Sequence, residues 1–363
     1  MAKLEQKRDL PISLKDLPKI DLHRHLEGSL RLETLYKIAQ KHNVAVPVES
    51  LEGLRPLVQV TDEPADHEVF LSKFEVLRHF YRTPETIQQL VYEAVADAAN
   101  DNIKYLELRF SPQALSRVRR FALGDVTDWV IEAVNNAQKD FDIKVGLIVS
   151  LVRHDPFAQA KHVAEVAFAR HEKGIVGFDL AGNEVKFPSA PFAPLFKQAK
   201  EMGMGVTIHA GEWASAIGVR DAIQDLCADR IGHGVRILEN SEILRLALEH
   251  EVAFEVCLTS NVQTGVVHQI HEHPLVDMLD LGLMATLNTD DPTISDITLS
   301  DEYEIALGDL DIPYRELRSM ILNAAHAAFL PDDERRQLTQ QFERQLPKPT
   351  MEKEVVTTLT PTL

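Results

Sequence analysis

Cysteine is almost missing from this chain: of 363 residues only Cys227 and Cys257 carry a thiol. Neither belongs to a CxxC pair, and two thiols build no disulfide framework. Positive charge is short as well, with 38 Lys plus Arg against 56 Asp plus Glu and a formal net charge of -18. Such a surface repels a phosphate backbone, so no nucleic-acid partner is expected. No apolar run approaches the ~18 residues that a bilayer span needs. The opening MAKLEQKRDL lacks the apolar core of a signal peptide. A reduced, cytoplasmic setting without a membrane partner is the expectation. Internal repeats and low-complexity segments are missing too. What remains is an ordinary globular mix, 45% hydrophobic and 26% charged, with ample material for a core. The length suits one large domain or two ordinary ones.

Eight β-rich runs recur, most of them separated by stretches of helical periodicity. They are PKIDLHRH (18–25), IKYLELRF (103–110), KVGLIVSL (144–151), IVGFDLAG (175–182), GVTIHAGE (205–212), RIGHGV (230–235), VAFEVCLTSN (252–261) and LMATLNTDD (283–291). Strand alternating with helix argues for a parallel sheet covered by helices. Eight such units predict a TIM (β/α)8 barrel. A doubly wound open sheet is the alternative, weakened because no Gly-rich phosphate loop follows the first run. The stretch 26–102 is too long for a simple connection. Its helical patterns predict an insertion after strand 1 that forms a lid. Extra C-terminal helices are expected over 313–345. Residues 1–345 read as one domain, and 346–363 as a frayed tail.

The carboxyl ends of these runs carry the chemistry. His23 and His25 sit two apart, so an extended chain points both imidazoles one way. The fifth run ends in His209 and Glu212, the sixth carries His233, and the eighth ends in Asp290 and Asp291. A TIM barrel gathers these ends on its active face. Three histidines and an aspartate from this set suit a borderline divalent metal such as zinc. Such a metal lowers the pKa of water toward neutrality and so prepares a nucleophile. Glu212 can reach the same cavity as an acid or base. Each motif alone is weak. An HxH pair is usually accidental, HAGE and GHG can be turns, and Asp291 can be a helix cap. Their joint placement at four strand ends is what raises the reading. HQIHEHP, from His268, lies away from any strand end and reads as a solvated helix or loop. Lys186 lies beyond the fourth run, so it is poorly placed to bridge two metals, and a single metal is favoured.

Taken together, LPKIDLHRHLEGSL, YLELRFSPQ, GFDLAGNE, VTIHAGE, RIGHGV, CLTSNVQT and LNTDDP resemble the adenosine deaminase family of the amidohydrolase superfamily. The resemblance runs from about Leu17 to Leu330. It implies a (β/α)8 barrel holding one zinc on His23, His25, His209 and Asp290. It implies that Glu212 protonates the purine N1 and that His233 orients and deprotonates the attacking water. Asp291 would meet N7, the Gly182 N–H would meet N3, and Phe70 with Phe74 would form an apolar gate. The implied reaction is hydrolytic deamination at C6 of adenosine or 2′-deoxyadenosine. The PCxxC framework of other base deaminases is missing here. Two departures bear on substrate. HLEG stands where adenosine enzymes usually read HLDG, so Glu27 near the ribose is longer by about 1.5 Å. Asn183 replaces the usual aspartate beside Gly182. Free adenine, or an adenosine-like compound such as aminodeoxyfutalosine, is therefore the alternative substrate. A binuclear barrel hydrolase and a non-catalytic nucleoside binder are more distant rivals. The oligomeric state is not legible.

Overall fold

All eight β-rich runs form strands: β1 (Lys19–His25), β2 (Ile103–Phe110), β3 (Lys144–Val152), β4 (Ile175–Ala181), β5 (Gly205–Ala210), β6 (Arg230–His233), β7 (Ala253–Val256) and β8 (Met284–Leu287). These come from a computed structural model that describes residues 12–44, 46 and 50–349. The strands pair in parallel in the order β1 to β8. The ring closes through a single bridge between Arg24 and Asp290. There the Asp290 N–H donates to His23 O and the His25 N–H to Asp290 O, both at 2.8 Å. Lower down, the Asn288 side chain fills the seam and accepts from the Leu22 N–H at 2.9 Å. The expected TIM barrel is therefore present, and its last seam is sewn by residues of the candidate site.

Two runs are shorter as strands than their residue types suggest. VAFEVCLTSN stops pairing at Val256, and Leu258–Gln263 is helical. Buried Glu302 causes the switch, because its carboxylate accepts from the N–H groups of Leu258 and Thr259 at 2.7 and 3.0 Å. That pair of bonds caps a new helix where a strand would need those donors for its ladder. LMATLNTDD leaves the sheet after Leu287. Asp290 then adopts φ 61°, a left-handed conformation that no strand continues.

Among its described residues the insertion after β1 holds four α-helices: α1 (Leu32–His42), α2 (Leu51–Val58), α3 (His67–Leu77) and α4 (Pro84–Asn100). Side-chain caps set their starts. Ser50 accepts from Gly53 N–H, Asp66 accepts from the N–H groups of Glu68 and Val69, and Thr83 forms a capping box with Thr86. The Asp66 N–H also donates to Gln263 O at 3.1 Å, and the Val60 N–H to Ile294 O at 2.8 Å. These bonds tie the insertion to the loops after β7 and β8. Helix Tyr314–Ala327 packs against β8 and β1 and completes the outer ring, with Asp332–Gln345 outside it. Leu346 is buried and the Tyr314 hydroxyl donates to Pro347 O at 3.1 Å. The packed chain thus runs past 345, while residues 350–363 of the expected tail lie outside the described residues. No described helix is long and apolar enough to cross a membrane.

Candidate active site

The carboxyl ends of β1, β5 and β8 bring His23, His25, His209 and Asp290 together, with one donor atom from each inside a 4.8 Å cluster. Carboxylates behind the ring set the tautomers of two imidazoles. His23 Nδ1 donates to Glu255 Oε2 at 2.7 Å, and His209 Nδ1 donates to Asp179 Oδ1 at 2.8 Å. Each Nε2 lone pair then faces inward. His25 Nε2 stands 3.3 Å from His209 Nε2 and 3.3 Å from Asp290 Oδ1. His23 Nε2 is 3.1 Å from Asp290 Oδ1 without forming a hydrogen bond there. Lone pairs that converge without donors between them are what a divalent cation requires, so the donor set fits a metal. Burial holds His25 down at about 4, so this imidazole is neutral as a ligand must be. Despite burial, Arg109 and Arg230 keep the Glu255 carboxylate well below its usual range, so it stays a strong acceptor for His23.

Glu212 follows β5 on a turn that Gly211 makes possible at φ 63°. Glu184 holds that turn. Its two carboxylate oxygens accept from the N–H groups of Gly211, Glu212, Trp213 and Ala214 at 2.6–3.0 Å. Burial first, then the charges of Asp290 and Glu184, push the Glu212 carboxyl well above the usual carboxylate range. It is therefore an acid with a proton to give. His233 sits at φ 61°, with Nε2 3.8 Å from Glu212 Oε2 and 3.9 Å from Asp290 Oδ2. Left-handed backbone at two non-glycine residues of one site is costly, and it persists where surrounding structure enforces it. Asp290 is further held by the Ser260 hydroxyl at 2.7 Å.

Glu27, Gly182, Asp291, Phe70 and Phe74 line the same cavity of about 370 Å³ as these groups. Glu27 stands beside the metal donors. Its Oε1 accepts from the Ser111 N–H at 2.8 Å, its buried Oε2 has no partner, and burial raises its carboxyl to about 7. Asp291 Oδ1 is likewise buried without a partner. Its carboxyl lies well above the usual range because of burial and the neighbouring Asp290 and Glu27. It packs so tightly over Gly28 that a Cβ there would lie 1.8 Å from Asp291 Oδ1, so this position of HLEGS tolerates only glycine. Gly182 turns out of β4 at φ 98°. Phe70 is buried and Phe74 half-buried on α3, their rings 6.4 Å apart. Lys186 is exposed and pairs with Glu68 of α3 at 3.0 Å, outside the donor cluster.

The family model for adenosine deaminase matches residues 18–345. The chain belongs to the adenosine deaminase family. An adenosine deaminase of Klebsiella pneumoniae (strain 342) is 37% identical over 325 residues, 89% of this chain and 97% of that protein. Among solved structures of the deaminase fold, an adenine deaminase of Arthrobacter aurescens superposes with TM-score 0.84 at 27% identity, covering 90% of this chain and 98% of that one. An amidohydrolase of Burkholderia ambifaria with bound Zn gives TM-score 0.83 at 25% identity, covering 93% and 96%.

Several residues of this deaminase site escape sequence reasoning. Asp179 and Glu255 lie inside strands, and a carboxylate within a β-run is the signal that could have found them. Glu184 is visible only as the last letter of LAGNE. Asn261 lies in CLTSN, a run read as strand. His273 belongs to the stretch read as solvated; while His268 and His271 are exposed, His273 is only 4% exposed.

Proposed function

We propose that this protein deaminates adenosine and 2′-deoxyadenosine at C6, releasing ammonia and leaving the 6-oxopurine nucleoside. The observation that carries the reading is that a neutral buried acid, Glu212, lines one cavity together with His25, His209 and Asp290 of a convergent His3Asp donor set that His23 completes from beneath. His23, His25, His209 and Asp290 would hold one zinc ion. Bound there, the metal supplies a water of lowered pKa as nucleophile. The chain's own residues do the rest. Glu212 gives its proton to N1, so ring electrons can leave C6 as the attacking oxygen arrives. N7 is an acceptor, so Asp291 must meet it as the neutral acid, which its burial favours. The Gly182 N–H donates to N3. Glu27 Oε2, buried and unpartnered, accepts from a ribose hydroxyl. Phe70 and Phe74 cover the base and keep bulk water out.

A second reading is supported by Glu27 itself, together with the likeness to the Arthrobacter adenine deaminase: the same chemistry on free adenine. The 37% identity to an adenosine enzyme over nearly its full length favours the nucleoside. Ammonia release from adenosine, 2′-deoxyadenosine, adenine and a 5′-modified adenosine tests the choice. The proposal expects the two nucleosides to lead in kcat/KM. Preference for adenine would overturn the substrate while leaving the deamination chemistry standing.

A further inference from the structure

His233 lines the cavity and is joined through the buried side chain of Asn261 to His273, which does not line it. The chain of bonds starts at a donor whose role cannot change. The backbone N–H of Leu275 donates to His273 Nδ1 at 3.1 Å. His273 is buried, which keeps its imidazole neutral with a pKa of about 3. A neutral ring that accepts at Nδ1 carries its one proton on Nε2. That Nε2–H lies 3.2 Å from the Asn261 Oδ1. The opposite amide orientation would set two donors against each other in a place where Asn261 is fully buried, a costly arrangement. The Asn261 amide is thereby fixed with Nδ2 toward His233, 3.1 Å from Nδ1. His233 Nδ1 must accept.

We infer that His273 is a positioning residue which, through Asn261, sets His233 in the tautomer that presents Nε2–H to the reacting atoms. The Asp290 carboxylate, an acceptor, has its Oδ2 3.9 Å from that nitrogen, and Oε2 of the neutral acid Glu212 lies 3.8 Å away. The inference rests on the reading of His233 as the group that meets the attacking water, and it changes the role the family resemblance gives that ring. A ring in this tautomer orients the attacking oxygen and steadies its negative charge by donating. It cannot take that oxygen's proton at Nε2 while the relay holds. Glu212, ionised after protonating N1, is then the acceptor in reach for the proton the attacking oxygen loses.

The test begins with the metal-loaded protein labelled with 15N in its imidazoles, with His233 assigned by comparison with His233→Gln. The expected spectrum shows the His233 proton on Nε2 and an unprotonated Nδ1; a proton on Nδ1 overturns the inference. This result does not depend on turnover or on which purine is the substrate, so it fails separately from the proposed function. Kinetics supply the second arm. Asn261→Asp offers acceptors to both neighbours and should move the His233 proton to Nδ1. Its kcat should fall by about tenfold or more while KM changes little. His273→Leu should lower kcat by about 2–10-fold, the worth of one neutral hydrogen bond. His273→Gln, whose amide can donate to Asn261 Oδ1, should recover most of that loss. An unchanged kcat in Asn261→Asp with the proton moved would overturn the role in the reaction. Should Asn261→Asp fail to fold, the wild-type spectrum and the two His273 variants still decide.

Discussion

The barrel interior buries charge at two levels, and the two are finished differently. Toward the amino ends of the strands, Arg230 uses all of its nitrogens. Nε donates to Glu255 at 2.5 Å, NH1 to Ala327 O at 2.7 Å and NH2 to Glu107, with the Phe329 ring 3.5 Å from its guanidinium carbon. Glu107 in turn accepts from the Tyr105 hydroxyl and the Phe329 N–H. At the carboxyl ends, His23 Nε2, Glu27 Oε2, Asp291 Oδ1 and Trp213 Nε1 are buried with no partner. Unpartnered buried polar atoms are expensive. Glu27, Asp291 and Trp213 line one cavity with the metal donors, which marks that end as the one that awaits a ligand, while the Arg230 end serves stability. Glu255 links the two levels, since one oxygen serves Arg230 and the other His23 and Arg109.

Substitutions at the two levels should therefore fail in different ways. The largest effect is expected from His209→Ala, which should abolish metal binding and turnover together while the far-ultraviolet spectrum stays native. Full metal retention, by elemental analysis, would break the assignment. Glu212→Gln should keep the metal yet lose roughly 10²–10⁴-fold in kcat, because an amide fills the space but has no proton to give. At the saturated level, Arg230→Met should cost about 3–5 kcal/mol of folding stability, since it leaves Glu107 a buried charge without its cation and takes one of two arginines from Glu255. Turnover of the fraction that remains folded should fall far less than in Glu212→Gln, because Arg109 still holds Glu255 for His23. Denaturant unfolding and kcat on the same samples separate the two.

Glu27→Ala is a smaller and more selective lesion. Loss of a charge-assisted hydrogen bond worth roughly 1.5–3 kcal/mol should cost about 10–100-fold in kcat/KM for adenosine. Free adenine, which has no sugar, should be nearly unaffected. Equal losses on both substrates would make Glu27 a brace for the insertion instead. The smallest effect concerns Glu302. Burial, against its two backbone donors and with Asp21 adding repulsion, raises its carboxyl from 4.5 to about 7. A pKa above the unfolded value gives stability that is present below about 4.5 and is lost as pH rises through about 7. Glu302→Gln should flatten the dependence of Tm on pH across that window. An unaltered slope would show that other groups set it.

Much of this was legible from residues alone. The eight β-rich runs, the helical insertion and the strand-end placement of His23, His25, His209, His233 and Asp290 follow from periodicity and from barrel geometry. What was not legible depends on partners distant in sequence. The ends of β7 and β8 are set by Glu302 and by the seam to β1, which no local propensity encodes. The Glu184 clamp joins residues 27–30 positions apart. His273 looked solvated because its neighbours are polar; its burial comes from packing beside Asn261.

The central claim is that the unpartnered end of the barrel is built around one divalent metal that serves purine deamination. The most direct test strips the purified protein of metal and titrates it with zinc, following bound metal and ammonia release from adenosine together. One zinc per chain, with activity rising in proportion and saturating at that ratio, is the predicted result. Two metals per chain at full activity, or undiminished turnover in the stripped protein, would contradict it.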